Sequence, residues 1–182
     1  MTFKIISAIS LAVFATSTFA VDPPTTVNGG TVHFTGELVN AACAVSTESE
    51  DQTVRLGQYR TSLLATSGDT TGKIPFTIKL VDCDTTIQET ASVAFYGQTV
   101  TSNANLLAVS AGGTNAVAAT NVGIQVADDQ DTILGFSGTS FSNPKTLIDG
   151  TNILSFSARY VATGASTAGL ANADATFVVH YE

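Results

Sequence analysis

No tryptophan occurs in the 182 residues, cysteine and histidine occur twice each, and only seven residues are Lys or Arg. Each shortage closes off a class of function. Without tryptophan or an aromatic cluster, nothing marks a sugar-binding platform. Ser-His-Asp catalysis would have to use His33 or His180. Both sit in strand patterns beside apolar neighbours and are read as solvent-facing positions, because a catalytic base also needs an orienting partner and a nucleophile in reach. GxSxG, HExxH and a glycine-rich phosphate loop are absent, so the chain is not expected to be an enzyme or to carry a cofactor. The scarcity of cations leaves a net charge of −8, which argues against nucleic acid and anionic membranes as partners. No CxxC spacing suggests thiol or metal chemistry. Asp128-Asp129-Gln130-Asp131 lacks the glycine and distal glutamate of an EF-hand and is read as a hairpin turn, so no metal is expected.

Long apolar runs are equally scarce. Residues 5–14 form one, after Lys4 and before the small residues at 16–20, and it is too short to span a bilayer. This is the pattern of a signal peptide, residues 1–20, with cleavage expected after Ala20. Nothing later resembles a membrane span. The mature chain is therefore expected to be exported, and more acidic still once Lys4 is lost.

What is present is strand and turn. Apolar residues make up 44% of the chain and charged ones 12%, which suits one domain with its own core and a surface built on Thr, Ser, Asn and Gly. Strands are predicted at 43–46, 53–56, 74–81, 92–96, 106–109, 122–127, 132–136, 152–161 and 173–181. Turn-rich pieces separate them at 67–72, 111–115 and 148–152. A turn of helix fits 61–65. Short strands at this spacing, without long helical periodicity, imply an all-β antiparallel sandwich, residues 41–182, with no repeat and no second domain. Cys43 and Cys83, an even pair in an oxidising compartment, are expected to form a disulfide contributing roughly 3–4 kcal/mol on the chain-entropy model.

Two segments alternate with unusual regularity. At the C-terminus, Ala173, Ala175, Phe177, Val179 and Tyr181 share one face; Asp174, Thr176, Val178 and His180 share the other. Residues 29–40 do the same, with Val32, Phe34 and Leu38 in phase with Gly30 and Gly36, and Thr31, His33, Thr35 and Glu37 opposite. Such an apolar-edged ribbon in a mature N-terminal extension (residues 21–40) must find a sheet to join.

The blocks Asn28-Gly-Gly-Thr-Val-His-Phe34, Gly36-Glu-Leu-Val-Asn-Ala-Ala-Cys43, Asp82-Cys-Asp84, Gly150-Thr-Asn152, Ala158-Arg-Tyr160 and Ala171-Asn-Ala-Asp-Ala-Thr-Phe177 closely resemble the major subunit of type 1 fimbriae, the rod pilins of the chaperone–usher pathway. Thr53-Val-Arg-Leu-Gly-Gln-Tyr-Arg60 fits the same pattern, and the likeness runs from about Thr26 to Glu182. The resemblance implies an incomplete immunoglobulin-like sandwich that lacks its last strand. The groove left between its first and C-terminal strands would be filled by the N-terminal strand of the next subunit, or by a periplasmic chaperone during export. Gly30, Val32, Phe34, Gly36 and Leu38 match the groove-filling positions of that donor strand. Cys43 and Cys83 match a disulfide tying the first strand to the second. Gly169, Phe177, Val179 and Tyr181 match the C-terminal pattern that the chaperone recognises. The implied partners are identical or related pilin subunits, the chaperone and an outer-membrane usher, and the implied site is a fimbrium on the bacterial surface that carries a tip adhesin. A minor adaptor pilin is one alternative. A stand-alone exported sandwich, with residues 21–40 paired into its own sheet, is another.

Overall fold

The computed structural model describes residues 25–38, 40–113 and 116–182; the leader expected at 1–20 lies outside them. The chain divides into two units, Met1–Glu37 and Leu38–Glu182. In the first, residues 25–37 form no regular element.

The second unit is built on strands, in chain order β1 (Ala44–Val45), β2 (Ile74–Cys83), β3 (Thr90–Gly97), β4 (Thr99–Val100), β5 (Asn103–Ala108), β6 (Val122–Asp128), β7 (Ile133–Leu134), β8 (Ser137–Phe141), β9 (Lys145–Thr146), β10 (Gly150–Ala162) and β11 (Ala175–Tyr181). One sheet runs β1-β2-β10-β6-β5-β4, with β7 on β6; the other runs β11-β3-β8, with β9 on β3. The ladders between these strands are antiparallel. Alternation sets the facing of each strand: along β10, Leu154, Phe156 and Ala158 are buried while Ile153 and Ser155 are exposed. The inward residues of both sheets meet in one core, where Ile78, Leu80, Ile124, Val126, Leu154 and Phe156 pack with Val93 and Phe95. Phe156 stacks on Phe76 at 5.6 Å and meets Phe95 edge-on at 5.4 Å, an arrangement aromatic quadrupoles favour. No helix among the described residues is long and apolar enough to cross a membrane.

Most predicted strands form, with moved ends. The predicted helical turn is a short 3-10 helix at Thr61–Leu64. β4, β8 and β9 went unforeseen because Ser137-Gly-Thr-Ser-Phe141 and its like carry no apolar alternation. The strand predicted at 53–56 does not form, because that stretch has no partner edge among the described residues. Asn152 explains the irregular start of β10. It accepts from Ile148 N at 3.0 Å and donates to Ile148 O at 2.7 Å, a loop closure beside Gly150, whose φ of +90° is one that glycine adopts without a steric penalty.

Candidate functional site: a groove between two open sheet edges

Cys43 and Cys83 are bonded. With Ala44 opposite Val81 and Val45 opposite Leu80, the bridge ties β1 to the end of β2. The chain then makes one helical turn, α1 (Thr47–Glu50), capped by Ser46, whose hydroxyl accepts from Glu48 N. Beyond it, residues 53–59 make no backbone hydrogen bond with any described residue. Facing them is β11, which pairs with β3 on one side and, among the described residues, with no strand on the other. Among the described residues, two hydrogen-bonding edges are thus left open across a gap, a condition isolated sheets normally suppress.

The gap is a groove floored by the core. Its narrower cavity, about 360 Å³, has Val54 and Leu56 on one wall, Ala173, Ala175 and Phe177 on the other, and Ile78, Phe95, Ile124, Val126 and Phe136 beneath. Its wider cavity, about 600 Å³, continues between residues 57–61 and 166–172 over Leu64, Val122 and Tyr160. Tyr160 braces the junction by donating to Ala171 O at 2.9 Å, with Tyr59 edge-on at 6.1 Å. Burial, and secondarily the neighbouring Tyr59, raise the Tyr160 pKa, so it remains a hydroxyl donor. At the other end of β11, Tyr181 donates to Cys43 O at 3.2 Å, which joins the free edges of the two sheets. Burial raises its pKa too.

The C-terminal residues singled out above fall on β11 and the stretch that precedes it. Phe177, Val179 and Tyr181 lie on the inward face of β11, half-buried against the core. Gly169 lines the wide cavity. A Cβ there would lie 2.8 Å from Ala118 O and closer still to Ala119 N, because Ala119 N donates to Leu170 O and Leu170 N to Val117 O. Close backbone approach requires this glycine. Gly30 and Gly36 have open space around them, and Gly30 has a φ of +128°. Val32, Phe34 and Leu38 are exposed at 73%, 90% and 101%, which is far from the usual state of such side chains in a finished fold.

The remaining polar residues serve the scaffold. Asp128, buried at the end of β6, accepts from Gln130 N and Thr132 N and from both Asn143 N and Nδ2. Burial alone would raise its pKa, but these hydrogen bonds, led by Asn143, outweigh that and hold it below the usual aspartate value. The acidic turn is therefore an intramolecular cap. His180 Nε2 lies 3.1 Å from Glu182 Oε1, its ring against Phe141. Arg60, on the wall of the wide cavity, was not singled out by sequence, where a lone cation between predicted elements carries no signal.

Residues 32–182 match the family model described as "Fimbrial protein". The type-1 fimbrial protein A chain of Salmonella typhi is 53% identical over 174 residues, covering 95% of this chain and 94% of that one. The A chain of Escherichia coli K12 is 51% identical over 179 residues, with 98% and 95% covered. Among solved structures, the P pilus rod subunit PapA superposes with a TM-score of 0.65 at 28% identity, covering 78% of this chain and all of that one. The structure of a chaperone–usher pilus, described as revealing the molecular basis of rod uncoiling, gives a TM-score of 0.72 at 28% identity, with 88% and 100% covered.

Proposed function

This chain belongs to the fimbrial protein family, and from that membership we propose that it is the rod subunit of a type 1-like fimbria, polymerising head to tail through its N-terminal strand. In this reading residues 1–20 are the export signal, 21–40 the donor strand and 41–182 the acceptor domain, an immunoglobulin-like sandwich short of one strand. A periplasmic chaperone fills the groove until an outer-membrane usher hands the subunit to the fibre, which stands outside the cell and carries a tip adhesin. The role is structural rather than catalytic.

The observation that carries the proposal is the pair of facing open edges over a core-lined groove, in a chain whose residues 30–38 expose an alternating apolar row. An inserted ribbon would pair with both edges and cover the floor. Antiparallel insertion along β11, the sense of the ladders in both sheets, allows a register with Val32 and Phe34 over the narrower cavity and Leu38 over the wider one. Gly36 then crosses between them. Such a contact joins different surfaces on the two partners and need not close, so it generates a filament.

Magnitudes decide where the durability lies. Burying Val32, Phe34 and Leu38 contributes roughly 1.5–3 kcal/mol each, and each main-chain bond about 0.5–1.5 kcal/mol. Ordering some dozen residues costs roughly 1–2 kcal/mol apiece. The ribbon's own balance is small, so closure of the acceptor around it must make release slow. Deleting residues 21–38 and co-expressing the chain with its chaperone tests the reading. A subunit that binds chaperone but gives no self-polymer is expected; normal polymers would overturn it.

A further inference from the structure

Cations are rare in this protein, and half of those among the described residues are already engaged. Lys73 pairs with Asp131, Lys79 with Glu48 at 3.5 Å, and Arg159 grips Gln125 Oε1 at 2.7 and 3.0 Å. Among the described residues the side chains of Arg55, Arg60 and Lys145 have no such partner, and of these three only Arg60 lines the groove, at its wide cavity. Residues 25–38, for their part, contain one acid, Glu37, and one base, His33.

We propose that Glu37 of the incoming strand pairs with Arg60 on the rim of the acceptor subunit and so fixes the register of insertion. The proposal rests on the strand-in-groove reading and specifies a contact within it. In an extended ribbon Glu37 points opposite to Leu38. With Leu38 down in the wide cavity, abreast of residues 169–172, the carboxylate lies on the solvent side of the ribbon, level with the wall that carries Arg60. The facing wall supplies the converse. Asp174 is the single acid in residues 166–177 and lines the narrower cavity. A strand slipped deeper along β11 would bring Glu37 beside Asp174, where like charges repel. One attraction and one repulsion therefore favour the same register, on a ribbon whose small and apolar residues discriminate weakly against a two-residue slip.

The test uses fibres assembled from the full chain with its chaperone, dissociated in urea so that ionic strength can be set independently. Glu37→Gln and Arg60→Gln should each speed dissociation about 1.5–5-fold, the range of exposed ion pairs. The double variant should be no faster than either single one, and added salt should erase the differences. Glu37→Arg should be rescued by Arg60→Glu, while Arg55→Gln should combine independently with Glu37→Gln. Multiplicative effects of Glu37→Gln and Arg60→Gln, or coupling to Arg55 instead, would overturn the pair. Phe34→Ala in the same assay keeps the premise separate. If it speeds dissociation while the charge variants do not couple, only the pair is lost. If it has no effect, the underlying strand insertion fails and the pair with it.

Discussion

The hydroxyl of Tyr181 donates to the carbonyl of Cys43 across 3.2 Å, joining the last strand of one sheet to the residue that leads into the first strand of the other. The same Cys43 is bonded to Cys83, so one end of the groove is tied twice while the other is wide. Tyr181→Phe keeps the ring and removes the tie, and should destabilise the assembled subunit by about 0.5–1.5 kcal/mol. Tyr181→Ala should cost about 3–5 kcal/mol by emptying a half-buried aromatic site. Urea midpoints of fibres carrying each variant check the ranking.

Loss of the bridge should be larger than loss of the tyrosine hydroxyl. Cys43→Ala with Cys83→Ala should lower stability by roughly 3–4 kcal/mol and reduce the yield of chaperone-bound subunit. Stability and yield equal to the parent would show that β1 holds its place through Ala44 and Val45 alone.

Gly169→Ala should disturb the fold although it adds a single methyl group. The new carbon meets the backbone of Ala118 and Ala119, which the hydrogen bonds to Leu170 hold in place. Overpacking of this kind costs about 1–3 kcal/mol, and here it also distorts the wall of the wide cavity. The variant should give less chaperone complex and a lower midpoint, whereas Gly72→Ala, in open space, should be near neutral.

Acid should weaken the fold through Asp128. Its carboxyl has an ordinary pKa of 3.8 and is held lower in the fold. The stabilisation is therefore complete above about pH 4 and disappears as pH falls through the depressed folded value. Asp128→Asn loses a strong acceptor for Gln130, Thr132 and Asn143, costing about 1–3 kcal/mol at neutral pH. It should also flatten the fall in fibre stability below pH 4, measured by urea midpoints from pH 2 to 7.

Residues 74–81 and 152–161 were readable as strands because apolar and polar residues alternate over a span long enough to fix a face. Residues 137–141 and 145–146 were not, since short edge strands take their place from neighbours rather than from their own side chains. The failure at 53–56 is more instructive. Val54 and Leu56 have the right alternation and do face the groove, but a strand needs a partner edge, and this stretch has none among the described residues. The groove was readable only through family likeness, because an absence of pairing leaves no mark in local periodicity. Arg60 was invisible for the same reason: its meaning depends on which wall it reaches.

The proposed donor strand offers the sharpest contrast between its two faces. Phe34→Ala and Val32→Ala remove side chains expected over the narrower cavity, while Thr35→Ala and Thr31→Ala alter the opposite face by similar chemistry at adjacent positions. Burial predicts that the first pair together weakens the contact by about 3–6 kcal/mol, whereas exposed substitutions stay within about 0.5 kcal/mol. With release governed by acceptor closure, as proposed, the loss should emerge as faster dissociation of fibres in urea, with the parent and the threonine variants alike. Equal rates for both pairs would mean that the alternation at 30–38 does not describe how the strand is held, whatever its sequence resembles.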